Sequence, residues 1–88
     1  MSNRAYTVGI SNSAQKEIKN LEQGVVARVI RSVRSLADEP RPPGCRKLVG
    51  SQNRWRVRVG DYRVIYTVDD AHRVVETIAV RHRSKAYE

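Results

Sequence analysis

The chain is 88 residues long, enough for one small core but not for a second domain or an enclosed cofactor, so a single domain over residues 1–88 with no cofactor is expected. Lys and Arg number 17 against 9 Asp and Glu, a formal charge of +8; most of the excess is arginine and falls after residue 40, which points to a polyanionic partner, most simply a nucleic acid. No apolar run approaches the ~18 residues that would span a bilayer, and Met1-Ser2-Asn3-Arg4 does not open a signal peptide, so a cytoplasmic chain with no membrane partner is expected.

Tyr6 to Ile10 alternates and predicts a short strand. Ser11, Asn12 and Ser13 are helix-capping residues, and Ala14, Ile18 and Leu21 recur at helical spacing, which predicts a helix over 13–21. Gly24 is expected to interrupt it. Val26, Val29, Ile30, Val33, Leu36 and Ala37 then form a second apolar stripe, with Arg28, Arg31 and Arg34 largely off it. The two helices should pack as a hairpin with one buried side. Asp38-Glu39-Pro40 ends the second helix, because a residue before proline avoids helical backbone. Pro42, Pro43 and Gly44 mark a loop. Cys45 is the sole cysteine; with His72 and His82 distant from it in sequence, no metal site is expected. Lys47 to Gly50 reads as a brief extended piece at a sheet edge.

The remainder reads as β. Arg54 to Val59 alternates strictly, Gly60-Asp61 is a turn, Tyr62 to Val68 is a strand, and Asp69 to His72 turns into a last strand over 73–80. Short turns between successive strands imply an antiparallel meander. On the first of these strands Trp55, Val57 and Val59 share one face and Arg54, Arg56 and Arg58 the other. Burying three arginines is prohibitive, so the tryptophan face should meet the helices. Tyr62, Val64, Tyr66 and Val68 form the apolar set of the next strand. On the last strand Val74, Ile78 and Val80 are assigned to the core, leaving Val75, Thr77, Ala79 and Arg81 opposite. If the register cooperates, Arg56, Arg58, Arg63 and Arg81 converge on an open, positively charged face. The expected fold class is α+β: an N-terminal strand, a helical hairpin and a three-stranded meander, with both helices on one face of the sheet.

Three segments carry a family resemblance: Trp55-Arg56-Val57-Arg58-Val59, Gly60-Asp61-Tyr62-Arg63-Val64-Ile65-Tyr66, and Val80-Arg81-His82-Arg83-Ser84-Lys85-Ala86-Tyr87. In this order and spacing they resemble the RelE/ParE toxin superfamily, and more closely its RelE-like branch, over nearly the whole chain. The resemblance implies a metal-independent endoribonuclease that cuts translated mRNA in the ribosomal A site. The substrate's 2′-OH would attack the adjacent phosphate, and fixed guanidinium groups would stabilise the transition state. Carried over by position, Arg56 and Arg58 match the family's basic pair, often lysine. An arginine here keeps its proton, which suits phosphate binding and charge stabilisation more than base catalysis. Arg63 matches a phosphate-binding arginine, Arg81 a general acid or transition-state clamp, and Tyr87 a residue that orients the nucleotide.

Arg54, Arg83, Lys85 and His82 are assigned to RNA contact. His82 is an alternative base, turned away from Arg81 by strand parity. Structural readings stand beside these: Arg63 could pair with Asp61 or Asp69, and Tyr87 could anchor the tail. The resemblance also implies mRNA and the ribosome as partners, and a cognate antitoxin covering the groove near Ile65 and Val75. Operator DNA would be reached only through the antitoxin. The alternative function is a ParE-like DNA gyrase inhibitor without nuclease activity.

Overall fold

The computed structural model describes residues 5–50 and 53–85. Strand β1 spans Thr7–Ile10, helix α1 Asn12–Lys19 and helix α2 Gln23–Ser35; strands β2 to β5 follow at Arg46–Lys47, Arg54–Val59, Tyr62–Asp69 and Val74–His82, and a 3₁₀ turn over Arg83–Lys85 comes last. The five strands form one sheet in the order β1-β5-β4-β3-β2. The meander β3-β4-β5 is antiparallel as expected, while β1 adds to its edge in parallel with β5, pairing Thr7 with Val74 and Ile10 with Thr77.

Local chemistry sets the boundaries. Ser11 has extended backbone and accepts a hydrogen bond from the Ala14 amide, capping α1. The break between the helices falls at Asn20–Glu22, and Gly24 lies inside the first turn of α2; there its amide needs no helical partner, so glycine is tolerated. Of the two residues joining β3 to β4 only Gly60 has positive φ, +59°, the pattern of a type II′ hairpin turn. Among the described residues no helix is long and apolar enough to cross a membrane.

Both helices cover one face of the sheet. Ile18, Val29, Val33 and Leu36 meet Val64, Tyr66, Val68, Val75 and Val80 in one buried cluster, with Trp55, Val57 and Val59 at its margin. Each such side chain contributes on the order of 1.5–3 kcal/mol through lost apolar surface. The Tyr66 hydroxyl ends inside this layer and donates to the Pro40 carbonyl at 2.7 Å, and burial pushes its pKa up.

The last strand departs from the expected alternation. The β4–β5 register passes from Ile65↔Ala79 to Tyr66↔Thr77, leaving Ile78 as an extra residue. A bulge of this kind reverses the side-chain parity on one side of it. Val75 and Thr77 are therefore fully buried, whereas Val74 is exposed. This corrects the assignment of Val74 and Ile78 to the core and of Val75 and Thr77 to the open face. Ala79 and Arg81, on the other side of the bulge, keep the face expected of them. Strand β2 pairs at Arg46–Lys47, slightly earlier than the predicted piece at 47–50.

Candidate active site on the open face of the sheet

Pairing places the open-face side chains in rows. Arg58 of β3, Arg63 of β4 and Arg81 of β5 stand side by side across three strands. The next row holds Arg46, Arg56, Ile65 and Ala79. A third contains Arg54, Thr67 and Glu76. Neighbouring strands lie roughly 4.8 Å apart, so the first two rows gather five arginine positions within the reach of one nucleotide backbone. Ile65 and Ala79 are themselves almost inaccessible on this face, so they form a packed floor and not an exposed apolar patch. Val75, expected beside Ile65, lies in the core instead.

Arg46, Arg56, Arg58 and Arg63 line a recess of about 260 Å³, closed on one side by Gly44. Arg58 is steadied by its Nε, which donates to the Gly60 carbonyl at 3.0 Å. Arg63 is different. Its Nη1 is buried and has no hydrogen-bond partner among the described residues, and the pairing with Asp61 or Asp69 does not form. The Asp69 carboxylate accepts from the His72 amide and lies 2.9 Å from His72 Nδ1; the hydrogen bonds from His72 hold its pKa below the usual range. A buried donor without an acceptor costs roughly 1–3 kcal/mol, and more when charged. A small movement of the Arg63 side chain toward an anion in the recess would give it the acceptor that the fold does not.

The loop that brings Gly44 and Arg46 to this recess is pinned from outside. Arg41 grips Asp70 with two hydrogen bonds, 3.2 and 2.8 Å, while its guanidinium carbon sits 5.0 Å from the centre of the Trp55 ring. Tyr6 donates to the same carboxylate at 2.6 Å. The Arg41 contact foremost, then that of Tyr6, holds the Asp70 carboxyl below its usual range. Arg46 was not singled out in the sequence. A two-residue strand has no periodicity to show which way it faces; its place after a Pro-rich loop was the only signal.

Arg81 shares the face of Arg63 but makes its contact elsewhere. Its Nε lies 3.5 Å from Glu17 Oε2 on α1. Glu17, Asn20, Leu21, Tyr62, Val80, Arg81 and His82 line a second recess of about 450 Å³ at the end of β5. His82 projects to the helix side, where its ring meets that of Tyr62 edge-on at 5.3 Å and its Nδ1 lies 3.0 Å from the Ser84 hydroxyl. Parity thus separates it from Arg81, yet the shared recess at the sheet's end keeps the two close. Arg83 is exposed and its amide donates to the Asp61 carbonyl at 2.7 Å. Arg54 is exposed at the far end of the face. Lys85 closes the final 3₁₀ turn, and Tyr87 lies outside the described residues. Among those residues no three His, Cys, Asp or Glu side chains come together as metal ligands would.

Comparison with known proteins gives a consistent result. Residues 8–87 match the profile of the ParE toxin of type II toxin–antitoxin system, parDE. The chain is similar to Toxin RelE of Mycobacterium tuberculosis, 31% identical over 83 residues covering 93% of this chain and 86% of that protein. It is also similar to Toxin RelG of the same organism, 31% identical over 86 residues covering 93% and 95%. Its fold is similar to the archaeal RelE–RelB complex from Pyrococcus horikoshii, with a TM-score of 0.81, 29% identity and coverage of 92% of this chain and 98% of that one.

Proposed function

Because the chain belongs to the ParE toxin family and is a RelE-like toxin of a type II toxin–antitoxin system, we propose that it is a ribosome-dependent endoribonuclease acting on translated mRNA in the cytoplasm. The observation that carries this reading is the buried Arg63 Nη1, without a partner among the described residues, beside Arg46, Arg56 and Arg58 at a recess of about 260 Å³. A phosphodiester fits that chemistry. Arginine offers two parallel donors that match phosphate oxygens.

In the reaction the mRNA's 2′ oxygen forms a bond to the adjacent phosphorus and the bond to the 5′ oxygen breaks. The products are a 2′,3′-cyclic phosphate and a 5′-OH. Charge accumulates on the phosphoryl oxygens in the transition state, and guanidinium groups already fixed in place lower its energy without reorganising. Arg56, Arg58 and Arg63 take this role, joined by Arg46. Arg81 clamps the leaving side and Tyr87 orients the nucleotide; Arg54, Arg83 and Lys85 add contacts to the flanking backbone. Guanidinium groups do not release protons near neutral pH, so the proton leaving the 2′-OH goes to an unprotonated His82 nitrogen or a Tyr87 phenolate, and a water molecule protonates the departing 5′ oxygen. The ribosome supplies the strand geometry that a shallow face cannot impose by itself.

The test is cleavage of mRNA bound to purified ribosomes, read by mapping 5′ ends. Wild type should cut within the A-site codon. Arg63→Ala and Arg81→Ala should each slow cutting by about a hundredfold or more with no substantial loss of thermal stability. A wild-type protein that leaves ribosome-bound mRNA intact overturns the reading, and gyrase-dependent DNA breaks with intact mRNA would establish the gyrase inhibitor instead. The related structures in complex with RelB support a cognate antitoxin as partner, one that covers the arginine rows and alone contacts operator DNA.

A further inference from the structure

The backbone edge of β5 beyond β1 is covered by side chains of α1 and its cap residue, and one of them reaches the arginine row. Strand β1 pairs with β5 only as far as Thr77. After that the Ile78 carbonyl is approached by the hydroxyls of Ser11 and Ser13, at 3.5 and 3.4 Å. The Val80 amide then donates to Glu17 Oε1 at 2.8 Å. The second oxygen of the same carboxylate lies 3.5 Å from Arg81 Nε. Glu17 thus bridges the strand backbone and the guanidinium with its two oxygens.

We infer that Glu17 is a positioning residue for Arg81, tethering its side chain by the inner nitrogen so that the outer nitrogens face the substrate. The Glu17 carboxylate is the one charged partner of Arg81 among the described residues, an ion pair at 3.5 Å to the inner nitrogen, and Nη1 and Nη2 make no contact with it. A free arginine side chain has several rotatable bonds, and fixing them in advance removes an entropic cost from the transition state. The Val80 amide fixes the carboxylate in turn, and the helix that carries Glu17 is anchored by the Ser11 cap. Glu17 touches no reacting atom in this scheme; it acts through Arg81. The inference rests on the nuclease reading for its catalytic consequence but not for the tether itself.

Two measurements test it. The first is single-turnover cleavage of ribosome-bound mRNA by wild type, Glu17→Gln, Glu17→Ala, Arg81→Ala and the double variant Glu17→Ala/Arg81→Ala. Glu17→Ala should lower kcat by about ten- to hundredfold with KM little changed. Glu17→Gln keeps an acceptor for Val80 and should lose less. In the Arg81→Ala background the Glu17→Ala substitution should have no further effect. The second is the NMR signal of the Arg81 Nε–H group, assigned by its loss in Arg81→Ala. It should move in Glu17→Ala and move less in Glu17→Gln. Should Glu17→Ala prove unfolded, Glu17→Gln carries both measurements. An Arg81 signal indifferent to both substitutions overturns the tether, as does a Glu17→Ala defect equally large with and without Arg81. A wild-type protein that never cuts defeats the nuclease reading, and the NMR signal then decides the tether separately.

Discussion

The two faces of the central sheet are made by the same three strands and obey opposite rules. On the helix side Val57, Val64 and Val80 meet Leu36 and Val33 in a dry layer where shape decides. On the other side Arg58, Arg63 and Arg81 stand in a row that like-charge repulsion works to push apart. One face stabilises the fold and the other draws on that stability to hold a charged, partly unsatisfied cluster. Changes on the covered face should therefore alter folding, and changes on the open face chemistry. The loop 40–46 is where the two rules meet, since it is tied to the covered side by Tyr66 and to the open side by Arg46.

The sharpest way to break this division is Leu36→Ala. Leu36 is fully buried, and its truncation should cost about 2–5 kcal/mol of stability in urea titrations. The folded fraction should still cut RNA at the wild-type rate. A specific loss of cleavage at unchanged stability would show that the faces are not separable. Tyr66→Phe probes the meeting point. It removes the donor to the Pro40 carbonyl and should cost about 1 kcal/mol, together with a small fall in affinity for a short RNA as Gly44 and Arg46 loosen.

The smallest effect concerns acid. The Asp70 carboxyl is held below its usual range in the folded protein, so its contribution is present above the ordinary carboxylate pKa and lost as pH falls through the lowered folded value. Asp70→Asn should therefore flatten the acid limb of a stability–pH profile and change little at pH 7. Because the pair is exposed, added salt should shrink the difference. An unaltered acid limb would remove Asp70 from the description of the loop.

The strands that bury one face strictly were legible in the sequence. Arg54, Arg56 and Arg58 alternate with Trp55, Val57 and Val59, and the high cost of burying arginine leaves one orientation. The last strand was not legible, because Val74, Val75, Ile78, Ala79 and Val80 offer apolar side chains to both faces and the bulge at Ile78 carries no sequence mark. Helix spacing gave both helices, but the break between them falls at the backbone turn over residues 20–22 and not at Gly24. In the site, the row through Arg58, Arg63 and Arg81 could be anticipated from parity. Glu17 could not, since it meets Val80 across 63 positions of sequence and looks locally like any solvated helix residue.

The parallel pairing of β1 with β5 joins two segments far apart in sequence. Until Val74 to Thr77 have left the ribosomal exit tunnel, Thr7 to Ile10 have no strand to join, and the intervening helices have no complete sheet to cover. The covered face and the arginine rows are thus completed together, by contacts distant in sequence that form late in folding.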